Sequence, residues 1–319
     1  MRIKYNIDWL IRKTVQKNDP NRIVENIFDY QNVIRKRPDL DREIYGSNGF
    51  YGMNYILKRY SGYDKRIKCL IEHAPGFTNI GLNEYKSNIF DTLLVSSEQR
   101  KKFLESRTNK RIYDIGPSIA YAETIYDEYN LKKTKNNLGK TLLLFPIHNI
   151  KNTDWQADTE GFIKRAKELA RDNGFDTVLV SLYYVDIMRG LNIRYEKEGF
   201  TVVSAGNIDN YDFNDCMKTI ISLSDFALYQ GFTSSVGYCI YMNVPVCMVW
   251  NDYNTEAYRN NNMADALNVF QSYFIDYDES ISEKQREICN HYYGYDSVKT
   301  PDKLYEIFDG LKRNKPGRD

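Results

Sequence analysis

The chain of 319 residues carries 44 basic and 43 acidic side chains for a net charge of +1. That balance supplies no field to draw it to a polynucleotide, and no basic stripe with interleaved aromatics appears. The length suits two domains of roughly 150 residues, each with its own core, and no run of about 18 apolar residues occurs that could span a membrane.

Residues 1–60 read as mostly helical. Ile23, Ile27, Tyr30 and Ile34 recur at helical spacing after Asp19-Pro20, and Pro38 ends the pattern. Gly46–Gly52 (GSNGFYG) reads as a flexible break, followed by a short helix over Tyr55–Tyr60. Strands are predicted over Ile67–Ile71, Thr92–Ser96 and Arg111–Ile115. A charged helix is expected from Glu98 to about Ser106 and another from Ser118 to about Tyr129. Leu131–Lys140 (LKKTKNNLGK) is polar and weakly patterned, and it reads as the linker. The expected domains are therefore 1–135 and 136–319, with the last helix free to pack back on the first.

The second half repeats the rhythm more regularly. Strands are predicted over Thr141–Phe145, Thr177–Leu182, Thr201–Ser204, Phe226–Tyr229 and Pro245–Trp250. Helices are expected over Thr159–Asp172, Asp186–Glu198, Phe213–Leu223, Ser282–His291 and Pro301–Lys312. Strands alternating with helices predict an α/β protein of two Rossmann-like, doubly wound domains facing across a cleft.

The stretch Phe226–Trp250 organises the candidate site. Its strand–turn–helix places Gly231, Thr233, Ser234 and Ser235 at the positive end of a helix, where backbone N–H groups and hydroxyls suit a phosphate. The plainer alternative is an ordinary helix cap with no ligand. The turn has neither the GxxxxGK[ST] nor the GxGxxG pattern, so no nucleotide class follows from it.

Two of the three histidines directly follow a predicted strand: His73 after Ile67–Ile71 and His148 after Thr141–Phe145. In open α/β sheets ligands sit at the carboxyl ends of strands, so both imidazoles can reach one cleft from opposite sides. Glu72 is a second candidate base, but neighbours on an extended chain point to opposite faces, so one of Glu72 and His73 is expected to reach the cleft. Asp39-Leu40-Asp41 and Asp276-Tyr277-Asp278 match a bare DxD in solvated settings. No HExxH, cysteine pair or GxSxG elbow occurs, so metal-independent chemistry without a cofactor is expected.

The five cysteines, Cys69, Cys216, Cys239, Cys247 and Cys289, lack CxxC spacing and mostly lie in apolar runs. They read as reduced core residues of a cytoplasmic protein. Met1–Lys13 lacks the apolar core and cleavage site of a secretory signal. The 27 tyrosines would suit sugar rings, although a composition rich in Asn, Ile and Lys explains them more simply.

IEHAPG on the first half and GFTSSVGYCIYMNVPV on the second together resemble GT-B glycosyltransferases, most closely those of bacterial capsule and lipopolysaccharide biosynthesis. YGMNYILKRYSGYDKRIKCLIEHAPG, with RIYDIGPSIAYAE after it, is similar to polysaccharide-biosynthesis proteins carrying an EHG signature, whose glycine is here Ala74. The resemblance runs from about Tyr51 to Trp250. It implies a metal-independent transferase moving a sugar from a nucleotide-activated donor to a glycan or lipid-linked acceptor. It further implies an acceptor-side first domain and a nucleotide-sugar-binding second domain. By position it puts His148, Ser234 and Ser235, with Thr233, on the donor phosphate and His73 or Glu72 as acceptor base. The sialyltransferase His-Pro order is not reproduced, since Pro146 precedes His148, so no CMP-linked donor is implied. Other readings on this architecture are a polyol-phosphate polymerase, a nucleotide-sugar epimerase, a pyruvyl-type transferase or a non-catalytic nucleotide- or glycan-binding subunit of an assembly complex. The expected setting is the cytoplasm or the inner face of the membrane, with peripheral association left open.

Overall fold

Two parallel sheets organise the structure, a computed structural model that describes residues 24–35, 43, 45–73, 75–76, 89–148, 158–250 and 264–311. Ile23, Pro38, Asp39-Leu40-Asp41 and Ala74 lie outside the described residues. Within the described part of the expected first helix one turn forms, α1 (Tyr30–Val33), capped by the Asp29 carboxylate. Burial decides otherwise for the residues before it. Val24 and Ile27 insert into the core of the second half, and the Val24 N–H donates to Asp212 at 3.0 Å. A division at residue 135 assigns this segment to the first half, yet it packs on the second.

Gly46–Gly52 is a 3-10 helix rather than a flexible break, and it ends in two left-handed residues, Tyr51 (φ 57°) and Gly52 (φ 70°). A Cβ on Gly52 would lie 2.0 Å from the Tyr211 carbonyl oxygen, so the chain passes there only as glycine. Helix α2 (Met53–Ser61) follows. The first sheet holds β1 (Leu70–Ile71), β2 (Thr92–Val95) and β3 (Arg111–Asp114) in chain order, with α3 (Glu98–Glu105) before the last strand. Strand β1 is shorter than expected because the Ile67 N–H bonds the Glu43 carboxylate instead of a neighbouring strand.

The helix expected from Ser118 is a single 3-10 turn, Ser118–Ala120. Beyond it the backbone is satisfied by side chains: Glu123 N–H donates to Asp215 (2.8 Å) and Ile125 N–H to Thr219 (2.9 Å). Helix α4 (Glu128–Leu138) then occupies most of the expected linker. None of its residues is buried, so it shows little apolar periodicity and reads as a linker in sequence.

The second half runs β4 (Thr141–Phe145), α5 (Thr159–Asp172), β5 (Thr177–Ser181), α6 (Tyr184–Met188), α7 (Leu191–Lys197), β6 (Thr201–Val203), α8 (Phe213–Ser222), β7 (Phe226–Gln230), α9 (Ser235–Tyr241) and β8 (Val246–Val249). The helix expected over Asp186–Glu198 is broken in two by Gly190 at φ 80°. All five strands are parallel in the order β6-β5-β4-β7-β8, which reverses between β4 and β7. That reversal is the double winding of a Rossmann-like domain. Even-numbered core positions face one side: Leu142, Leu144 and Leu228 pack with α5, while Leu143, Ala227 and Tyr229 pack on the opposite layer.

Among the described residues three helices follow β8: α10 (Ala264–Tyr273), α11 (Glu283–Tyr293) and α12 (Pro301–Asp309). Helix α11 lies on α9, where Gly237 admits the Tyr293 ring. Helix α12 shares a core with α2 through Leu304, Ile307 and Phe308. The tail thus bridges both halves. All five cysteines are buried free thiols. Among the described residues no helix is long and apolar enough to cross a membrane.

The halves are joined at the first turn of α8. Asp215 takes two hydrogen bonds from Arg59 of α2, each 2.8 Å, besides the one from the Glu123 backbone. Asp215→Ala is expected to lower unfolding free energy by about 2–3 kcal/mol, the low side for breaking a buried pair because Arg59 keeps part of its side chain in water. Urea denaturation measures it; an unchanged midpoint would show that the pair contributes nothing.

Candidate functional site

The loops at the carboxyl ends of the strands build one cavity, with room of about 200 Å³ for water-sized groups. From the second half come Phe145 at the end of β4, His148 beyond it, Tyr183 after β5, Gly206 after β6 and the Thr233–Ser235 turn after β7. These flank the point where the strand order reverses, where open α/β sheets form a crevice. The first half contributes Tyr51, His73 after β1 and Ser118 after β3.

Gln230 sets the second-half loops. Its Nε2 donates to the Asp158 carbonyl at 2.8 Å, and its Oε1 accepts from the Ile147 N–H at 3.4 Å. One buried amide thereby fixes the exit from β4, and with it His148, against the start of α5. At the β7 turn, Gly231 adopts φ 87° and donates its N–H to Val249 at 3.0 Å. It shapes the turn without lining the cavity. Thr233 and Ser235 hydroxyls bond each other at 2.8 Å, and Ser234 makes no capping hydrogen bond. The plain-cap alternative therefore does not describe these three side chains.

His73 and Glu72 separate as neighbours on an extended chain do. His73 turns into the cavity, with the Phe50 ring edge-on at 5.6 Å and the Tyr51 ring at 5.9 Å. Glu72 turns away from it and forms a buried pair in which Oε1 accepts from Arg100 Nε (2.9 Å) and Nη2 (2.6 Å). Glu72 is thus corrected from candidate base to structural anchor. The pair explains the glycine of IEHAPG as well, because a Cβ on Gly76 would lie 2.1 Å from Arg100 Nε.

His148 meets the edge of Tyr183 at 5.4 Å. His148 is itself exposed and borders the cavity. Desolvation lowers the pKa of both imidazoles below the ordinary value, so at neutral pH each is uncharged and holds a basic lone pair. Burial raises the Tyr183 phenol, which hydrogen-bonds the Tyr51 side chain of the other half. Among the described lining residues there is no Lys, Arg, Asp or Glu. Among the described residues, no three His, Cys, Asp or Glu side chains lie where they could hold a metal ion. Asp276-Tyr277-Asp278 is on the surface, and Asp278 accepts two 2.8 Å bonds from Ser280.

The cavity therefore gathers His73, His148, Thr233, Ser234 and Ser235, and leaves out Glu72 and Gly231. Sequence reasoning missed Tyr51, Ser118, Tyr183, Asn214 and Tyr238. Ser118 and Tyr183 follow strands as the two histidines do, so the same rule applied to every strand end would have found them.

A lowered histidine pKa means that the unfolded chain takes up protons first as pH falls. Stability contributed by His73 is then complete above about pH 6.5 and is lost as pH drops below it toward the folded-state value. NMR titration of the His73 imidazole should place its midpoint below the ordinary histidine value; a midpoint at or above it contradicts the desolvation described.

No family model and no curated protein matches the sequence. Among solved structures, it aligns with WaaG, a glycosyltransferase involved in lipopolysaccharide biosynthesis, at 14% identity and TM-score 0.31 over 68% of this chain and 62% of that one. It also aligns with α,α-trehalose 6-phosphate synthase from Burkholderia multivorans at 12% identity and TM-score 0.35, over 81% and 68%. The chain spans less than two thirds of the length of WaaG, and at these values neither alignment carries an argument about activity.

Proposed function

We propose that this chain is a glycosyltransferase, moving a sugar from a nucleotide-activated donor to a glycan or lipid-linked acceptor in surface-polysaccharide biosynthesis. The observation that carries the reading is convergence: imidazoles from opposite halves and three hydroxyls of one turn meet in a single cavity at the reversal of strand order.

In this reading the second half holds the donor. Its leaving phosphate accepts hydrogen bonds from Ser234 and from whichever of Thr233 and Ser235 is the acceptor in their mutual bond, with His148 beside it. The first half holds the acceptor, and neutral His73 takes the proton of the attacking hydroxyl. The acceptor oxygen bonds to the anomeric carbon as the bond from that carbon to the phosphate oxygen breaks, and the nucleotide leaves with the electron pair. The charge on the phosphate is met by these donors rather than by a metal ion. The aromatic walls around His73 exclude water that would otherwise hydrolyse the donor. The protein would act in the cytoplasm or at the inner face of the membrane.

A thermal-shift panel of UDP, CMP, CDP, GDP and dTDP tests the donor half, since a ligand at 100-fold its dissociation constant stabilises by about 2.7 kcal/mol. No shift with any of them counts against the reading. Once a donor is known, His73→Ala should cut transfer by roughly 10²–10⁴-fold with the fold intact. Undiminished turnover in that variant removes His73 as base.

A further inference from the structure

Four polar groups at one wall of the cavity form a chain whose hydrogens can be assigned in turn. Asn214 Nδ2 donates to the Tyr51 carbonyl oxygen at 2.6 Å. A carbonyl only accepts, so the amide cannot be reversed, and its Oδ1 must face Ser118. That oxygen also only accepts, and it lies 2.8 Å from Ser118 Oγ, which therefore uses its single hydrogen there. Ser118 Oγ is in turn 2.9 Å from Tyr238 Oη. With its hydrogen committed, the serine can only accept, so the Tyr238 hydroxyl must donate to it. The phenol oxygen is left with a lone pair and no hydrogen to offer a ligand. Tyr51, Ser118, Asn214 and Tyr238 all border the cavity.

We infer that Tyr238 is a specificity residue, whose oxygen accepts a hydrogen bond from a hydroxyl of the bound sugar and turns phosphate oxygens away from its end of the cavity. The inference rests on the proposed transferase reading and deepens it. Phosphate oxygens only accept, so they are repelled by a lone pair and drawn to hydroxyls that still have hydrogens to give. Ser234, at the start of α9, and Tyr238, about one helical turn further on, both border the cavity. A glycosyl phosphate would thus lie with its phosphate at the Thr233–Ser235 turn and its ring toward Tyr238. The assignment of hydrogens spans three parts of the chain: the 46–52 loop, the turn after β3 and α8. The polarity of this wall therefore depends on all three being in place.

The test is calorimetric titration of wild type and Tyr238→Phe with UDP, GDP and dTDP and with UDP-glucose, UDP-N-acetylglucosamine, GDP-mannose and dTDP-rhamnose. The phenylalanine variant should bind a sugar nucleotide about 3- to 10-fold more weakly, the worth of one neutral hydrogen bond, and bind its parent nucleotide unchanged. Equal losses for both, or none, overturn the inference while leaving the nucleotide reading standing. Should Tyr238→Phe not fold, Ser118→Ala decides instead. It keeps the phenol but frees its hydrogen, so preference for sugar nucleotide over nucleotide should narrow; an unchanged ratio overturns the inference. If no nucleotide binds wild type, the donor reading fails by itself. Saturation-transfer NMR with free glucose, mannose and N-acetylglucosamine then tests Tyr238 alone: signals lost in Tyr238→Phe support it, and signals retained, or none in wild type, overturn it.

Discussion

The joint at the start of α8 is the constraint on which the cavity depends. Asp215 accepts from Arg59 of the first half and from the Glu123 backbone between the halves. Taking that carboxylate out of water is costly, and three donors offset the cost only when all are correctly placed. Its neighbour Asn214 bonds the Tyr51 carbonyl and Ser118, and Lys218 donates to the Ala122 carbonyl at 2.6 Å. One helical turn therefore fixes α2, the 46–52 loop and the connecting segment together. Each of these supports a residue of the cavity wall, so the position of Tyr51 and Ser118 relative to the second sheet is set there.

The cavity combines that rigidity with an unusual charge pattern. Formal charges stand behind the wall, as Arg59–Asp215 at the joint and Arg100–Glu72 behind His73, while the described wall itself is neutral. Fixed neutral dipoles in a partly dry space act on a ligand without the screening that opposed ion pairs would impose on one another. Hydroxyl hydrogens and lone pairs then decide which part of a ligand lies where. The paired charges behind hold the loops that carry these dipoles.

Much of the second half was legible from residue order, because each strand there is buried on both faces and bounded by turn residues. Thr141–Phe145 matches β4, and Thr159–Asp172 matches α5 with its apolar face of Phe162, Ala166, Leu169 and Ala170. His73, His148 and the Thr233–Ser235 turn were legible as strand-end groups. The misses share a cause: long-range partners replaced local ones. Residues 121–127 were expected to be helical but bond Asp215 and Thr219 side chains, about 90 positions away. Ile27 had helical spacing with Tyr30 and Ile34, but it buries in the core of the second half. Glu72 looked like a base because nothing near it in sequence announces Arg100 as its partner.

Tyr51 carries one more consequence. Its left-handed backbone is held by bonds from the opposite half on both sides, N–H to the Ile208 carbonyl and carbonyl from Asn214, each 2.6 Å. Such a conformation costs a non-glycine residue on the order of 1–3 kcal/mol. The two bonds offset that cost, so this corner of the wall keeps its shape only while both halves grip it.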